Sequence, residues 1–163
     1  MEIYKLNEED AQMYQEIRLN ALKTNPEAFG STFEREVEFS LDQVASRVTP
    51  TKDRYVLGAF HTGELVGTVT FMRESGIKMY HKGNIFGMYV KPEYRRMAIG
   101  KALLVELIEQ AKQDEGLEQI NQLIAAIEKP YFLYVKSVLL YEKKDYETAH
   151  VTLDRLIELG GEF

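Results

Sequence analysis

The sequence predicts one domain of α/β or α+β class, built on a central sheet. Three observations carry that reading. Strand-like patterns fill the middle of the chain from Arg54 to Val90, and helical spacing lies on both sides of them. The 163 residues, 45% hydrophobic and 28% charged, suffice for one substantial core. No stretch is rich enough in Pro, Gly or Ser to act as a linker, and no internal period recurs, so residues 1–163 are expected to form a single domain.

Taken in order, Ile3 to Leu6 alternates as a short strand, and Asn7-Glu8-Glu9-Asp10 opens a helix with acids near its positive end. Tyr14, Ile17, Leu19, Ala21 and Leu22 continue that helix, which stops before Pro26. Leu41 to Val48 predicts a second helix with Ser40 as its N-cap. Tyr55 to Phe60, the turn His61-Thr62-Gly63-Glu64, and Leu65 to Met72 predict strand, turn, strand. Lys78 to Tyr80 and Asn84 to Val90 keep strand-like composition, and Pro92 closes the second of these. From Ile99 to about Glu115 the spacing is helical, with Leu103, Leu107 and Ala111 on one stripe and Gly116 placed to end it. Leu117 to Ala126 reads as a buried strand, with helix as the alternative. Tyr131 to Tyr141 reads as an amphipathic helix, and Glu147 to Leu153 as strand or helix.

Composition narrows the function classes. The 26 acidic residues outnumber 20 basic ones for a net charge of -6, so no global footprint for nucleic acid exists and no nucleic-acid partner is expected. No apolar run approaches the roughly 18 residues of a membrane span, and the N-terminus lacks the basic and apolar regions of a signal peptide. Without cysteine, disulfides and thiolate chemistry are excluded. A cytoplasmic protein with no membrane partner is the expectation. His61, His81 and His150 lack metal-ligand spacing, so no metal is expected. Glu34, Glu36 and Glu38 read as a solvated acidic face, with attraction of a cationic amine as the alternative.

The stretch that carries chemistry runs from Ile85 to Leu104 as strand, short loop, helix. Its loop sets Arg95, Arg96 and Lys101 beside the small residues Ala98 and Gly100. A helix N-terminus presents unpaired N–H groups and the positive end of the dipole, and small residues leave a phosphate room to approach. A pyrophosphate-bearing cofactor is the natural ligand.

Arg95-Arg96-Met97-Ala98-Ile99-Gly100 resembles the Arg/Gln-x-x-Gly-x-Gly/Ala signature of the GNAT superfamily of acetyl-CoA-dependent N-acetyltransferases, with Ala98 at the first glycine. The preceding Met88-Tyr89-Val90-Lys91-Pro92-Glu93-Tyr94 and the following Lys101-Ala102-Leu103-Leu104 are similar to the family as well. So is the leader, through Arg18, Leu22, Pro26, Glu27, Ala28 and Phe29. The resemblance covers residues 1–121; residues 122–163 diverge. It implies a mixed, mostly antiparallel sheet with a splayed strand pair, flanked by helices. It further implies acetyl-CoA as cosubstrate, held by Met88, Tyr89 and Val90 at its acetyl-pantetheine end and by Arg95, Arg96, Met97, Ala98, Ile99, Gly100 and Lys101 at its pyrophosphate. Gly87 suits the bulge that splays the strands. The implied reaction is acetyl transfer to a primary amine on a small molecule or peptide by direct attack. A homodimer is left open.

Relatives use a tyrosine to protonate the departing thiolate, within Asn-x-x-Ala-x-x-Leu-Tyr before Gly-Phe. Leu140-Tyr141 followed by Asp145-Tyr146 resembles part of that motif, whereas spacing from Gly116 points to Tyr134. Tyr141 is the first candidate and Tyr134 the second, with a core aromatic as the alternative for each. Residues 131–159 also resemble one tetratricopeptide helical hairpin, through Ser137, Asp145, Tyr146, Ala149, Leu153 and Leu156. Two other functional classes therefore stay open: a protein-interaction module with a helical tail, and an acyl-CoA sensor without turnover.

Overall fold

Among the described residues five strands make one sheet in sequential order: β1 (Glu2–Lys5), β2 (Arg54–His61), β3 (Glu64–Arg73), β4 (Lys82–Val90) and β5 (Gln119–Gln122). The first four are antiparallel to their neighbours, and β5 joins β4 in parallel. The computed structural model describes residues 1–113 and 119–122. A parallel pair needs a crossover, and α4 (Ile99–Lys112) lies in the connection between β4 and β5. The mixed, mostly antiparallel sheet flanked by helices is what the sequence led us to expect. The elements expected at Tyr131–Tyr141 and Glu147–Leu153, and the tetratricopeptide-like stretch 131–159, lie outside the described residues.

The leader forms as its residues dictate. Asn7 accepts a hydrogen bond from the Glu9 N–H at 2.8 Å while Asp10 accepts one from the Asn7 N–H at 2.9 Å. This reciprocal cap starts a single 3-10 turn that runs into α1 (Ala11–Thr24). Ser40 and Gln43 form the same kind of box at the start of α3 (Leu41–Val48). Between them lies a one-turn helix, α2 (Phe33–Glu36), capped by Thr32. Sequence reasoning did not predict α2, because one turn of alternating charge carries no apolar period.

Two cores share the sheet. Along β2, Tyr55 and Leu57 face α4 while Val56 between them faces α1 and α3, the period of two in a strand buried on both faces. Ile99, Leu103, Leu104 and Leu107 of α4 are almost fully buried, and each such side chain contributes about 1.5–3 kcal/mol. On the opposite face Ile17 and Ala21 of α1 meet Val44 and Val48 of α3.

Lys78 to Tyr80 does not form strand. Gly76 takes φ +112, and the bonds Met79 N–H to Gly76 C=O and Lys82 N–H to Met79 C=O close two successive turns. Ile77 stands fully exposed at their tip, with no neighbouring strand to bury it. Among the described residues no helix is long and apolar enough to cross a membrane.

Candidate functional site

The centre of β4 is irregular. Thr68 pairs with Tyr89 and Thr70 with Phe86, so Val69 alone faces both Gly87 and Met88. Gly87 takes φ +55, a conformation that glycine reaches without steric cost. The bulge puts Ile85 and Met88 on the same α4-facing side although they are three residues apart. Phe86, Gly87 and Met88 are only partly buried although β4 is an interior strand. Among the described residues β5 pairs with Lys82 to Ile85, ahead of the bulge. These features make Gly87 the point where the regular ladder between β3 and β4 breaks.

Beyond Val90 the chain makes one 3-10 turn, Pro92–Tyr94, then the loop into α4. Lys91 and the Tyr94 hydroxyl both donate to Glu64, which fixes the strand exit to the start of β3. His61 sits edge-on to the Tyr94 ring at 5.7 Å, a packing role. Arg95 turns back: its Nε donates to the Val90 carbonyl at 3.1 Å and its Nη2 to Asn25 Oδ1 at 2.9 Å. Arg95 thus braces the loop against the end of α1. Arg96 and Ala98 both have positive φ, +67 and +57.

Ala98 is the N-cap of α4 and supplies no side-chain hydrogen bond. The contrast with the Ser40 box on α3 is informative: Ala98 offers the first N–H groups of α4, at Ile99, Gly100 and Lys101, no side-chain acceptor of its own, so a ligand can take them. A pyrophosphate fits such a terminus. The glycine usual at position 98 is thus explained by backbone conformation more than by space. A Cβ on Gly100 would meet Met88 Cε, the end of a flexible side chain, at 2.9 Å, so the missing side chain also lets α4 lie close to β4.

On the other face, Arg18 from α1 reaches toward the bulge. Its Nη1 lies 3.8 Å from where a Cβ on Gly87 would stand. Its Nε and Nη2 donate to the two oxygens of Glu36 at 2.9 and 2.8 Å, and its guanidinium covers the Phe29 ring at 4.6 Å. Glu36 is 3% exposed, which corrects the expectation of a solvated acidic face; Glu34 and Glu38 are exposed. Burial alone would push the Glu36 carboxyl up, but Arg18's bonds and charge, helped by Ser31 and Arg47, hold it below the usual carboxylate range. Arg47 stands 3.7 Å from the same carboxylate.

Similarity to known proteins follows the same outline. The acetyltransferase (GNAT) family model matches residues 11–130. The chain belongs to the GNAT acetyltransferase family. No curated protein matches it in sequence. Among solved structures it is similar to a GNAT-family acetyltransferase from Streptococcus pneumoniae, with TM-score 0.65 and 18% identity, covering 76% of this chain and 74% of that one. It is also similar to a possible acetyltransferase from Clostridium difficile 630, with TM-score 0.66 and 16% identity over 86% and 90% of the two chains. A third is the paia N-acetyltransferase from Thermoplasma acidophilum in complex with coenzyme A, with TM-score 0.57 and 25% identity over 73% and 76%.

Within the GNAT fold, the residues singled out by sequence come together unevenly. Met88 and Val90 pack toward α4 beside Gly100, while Tyr89 points to the opposite face, where its hydroxyl meets Thr24 at 3.1 Å and donates to Asn20 at 3.2 Å. The Tyr89 side chain thus anchors α1 to the sheet. Tyr141 and Tyr134 lie outside the described residues. Among the described residues no three His, Asp or Glu side chains are grouped to hold a metal. Sequence reasoning missed Arg47 and the buried role of Glu36, because Arg18 on α1, Glu36 on α2 and Arg47 on α3 are distant in sequence.

Proposed function

We propose that this GNAT protein transfers an acetyl group from acetyl-CoA to a primary amine by direct attack. The observation that carries the reading is the uncapped N-terminus of α4, entered through the left-handed residues Arg96 and Ala98, directly beyond a strand that bulges at Gly87. The N–H groups of Ile99, Gly100 and Lys101, with the charges of Arg96 and Lys101, would hold the pyrophosphate. The backbone of Met88, Tyr89 and Val90 would align the acetyl-pantetheine arm at the bulge. The coenzyme, when bound, supplies an activated thioester carbonyl.

The rest is the chain's work. The bulge orients the amine beside Gly87 and Met88, and holding two reactants in place supplies a large part of such a rate enhancement. Tyr141, or Tyr134, is the proton donor to the leaving thiolate, worth about 10²–10⁴-fold. Glu36 is a poor candidate for general base, since its carboxylate is already saturated by Arg18 and held at low proton affinity.

Calorimetry with acetyl-CoA tests the loop. Arg96→Gly keeps the φ of +67 accessible while removing the guanidinium, and Lys101→Gln removes the neighbouring charge. Each should weaken acetyl-CoA by about twofold to fivefold, the size of one charge at a helix terminus, without loss of folding. Unchanged affinity in both would overturn the loop's assignment. Thiol release across a panel of amines then separates an enzyme from a sensor.

A further inference from the structure

We infer that Arg18 selects an acceptor carrying a carboxylate beside its amine, so that the acceptor is an amino acid or an amine of that form. The inference rests on the acetyl-transfer reading for what happens to that amine. Its first support is geometric. Arg18 leaves α1 on the face opposite α4, and its Nη1 comes closest to the bulge, 3.8 Å from the missing Cβ of Gly87. Phe86 to Met88, the partly exposed part of β4, lies at this point. The other guanidinium nitrogens are fixed on Glu36, and the plane is fixed over Phe29. A planar donor held this rigidly loses little freedom on binding and matches the geometry of a carboxylate oxygen.

Charge is the second support. Arg18 and Arg47 flank the buried Glu36 carboxylate from α1 and α3. Glu36 already serves Arg18 through both oxygens and Arg47 at 3.7 Å. Two guanidiniums thus share one buried carboxylate in a protein whose net charge is -6. The deficit favours a bound anion and disfavours a diamine, although the whole protein's field would attract cations.

The third support concerns room. Tyr14, Gln15, Arg18, Phe39 and Arg47 line a concavity between α1, α2 and α3. It measures about 220 Å³ with the open solvent at its mouth included, a shallow recess. An acceptor held by Arg18 Nη1 therefore lies on the bulge side of Arg18, beside Gly87. Glu36 is then a positioning residue that orients Arg18.

Leucine, glutamate and phenylalanine, each beside its carboxamide and its decarboxylated amine, form the test panel for the full chain. The carboxylates should show kcat/KM at least tenfold above their uncharged counterparts. Arg18→Gln combined with Glu36→Gln removes both buried charges together, and should raise KM for the amino acids about tenfold while kcat stays within a few-fold. Equal use of carboxamides, or a kcat loss shared by every acceptor with KM unchanged, would overturn the inference. A binding readout keeps it distinct from the acetyl-transfer reading. The Arg18 Nε–Hε NMR signal of the wild-type chain should shift saturably with leucine and not with leucinamide. If acetyl-CoA fails to bind while that shift persists, the acetyl-transfer reading falls and the carboxylate site stands; if the shift is absent, the carboxylate site falls.

Discussion

Ala98→Gly should stabilise this protein, against the usual sense of an Ala-to-Gly change. Ala98 is exposed and holds φ +57 and ψ +17 at the N-cap of α4, with no side-chain hydrogen bond to lose. A left-handed conformation costs an L-residue about 1–2 kcal/mol through its Cβ, and glycine avoids that cost. Glycine gives back about 0.4–1 kcal/mol through the greater freedom of the unfolded chain. The net gain is about 0.5–1 kcal/mol, or a rise in Tm of about 1–4 °C for a domain of this size. Ala102→Gly is the matched control. Ala102 lies one turn on, inside α4, where its N–H bonds to the Ala98 carbonyl at 3.0 Å. That change should destabilise by about 0.8–1 kcal/mol. Urea denaturation followed by circular dichroism measures both, and calorimetry with acetyl-CoA shows whether Ala98→Gly keeps the affinity of the parent. Equal destabilisation by the two substitutions would refute the left-handed assignment, and with it the argument for why a glycine suits this position.

Gly67→Ala places a Cβ 3.2 Å from Ile99 Cγ2 and Leu103 Cδ1 and 3.3 Å from the Tyr89 carbonyl, so α4 must shift from the sheet. A loss of about 1–3 kcal/mol in chemical denaturation is expected. Glu36→Gln leaves Arg18, 15% exposed, without its charge partner and should cost about 3 kcal/mol. Because Glu36 has a lowered folded pKa, its contribution is present above the unfolded carboxylate value of about 4.3 and is lost as pH falls through the folded one. The variant should therefore show a flatter acid limb in stability against pH; an unchanged limb would show that other carboxylates set it. Tyr141→Phe should lower turnover about 10²-fold with acetyl-CoA affinity intact and Tyr134→Phe mild, measured by thiol release; the reverse order would assign the proton to Tyr134.

The sequence by itself determined what depends on neighbours along the chain. The Ser40 cap, the hairpin around Thr62-Gly63, the stop at Pro92 and the helical stripe of Leu103, Leu107 and Ala111 are local patterns, and each formed where it was read. The loop from Arg95 to Lys101 was legible because its small and basic residues adjoin one another. Tertiary structure decided what depends on residues brought together from afar. Arg18 and Glu36 are 18 positions apart, so only packing of α1 against α2 could turn an apparently solvated acid into a buried ion pair. Arg95 became a brace because Asn25, 70 positions earlier, lies within 2.9 Å of it. Gly100 answers to Met88 across the strand–helix contact, which no spacing along the sequence encodes. A charge pattern states which groups are available, but their burial and partners follow from the fold, and these fix whether a charge is solvated, paired or turned toward a ligand.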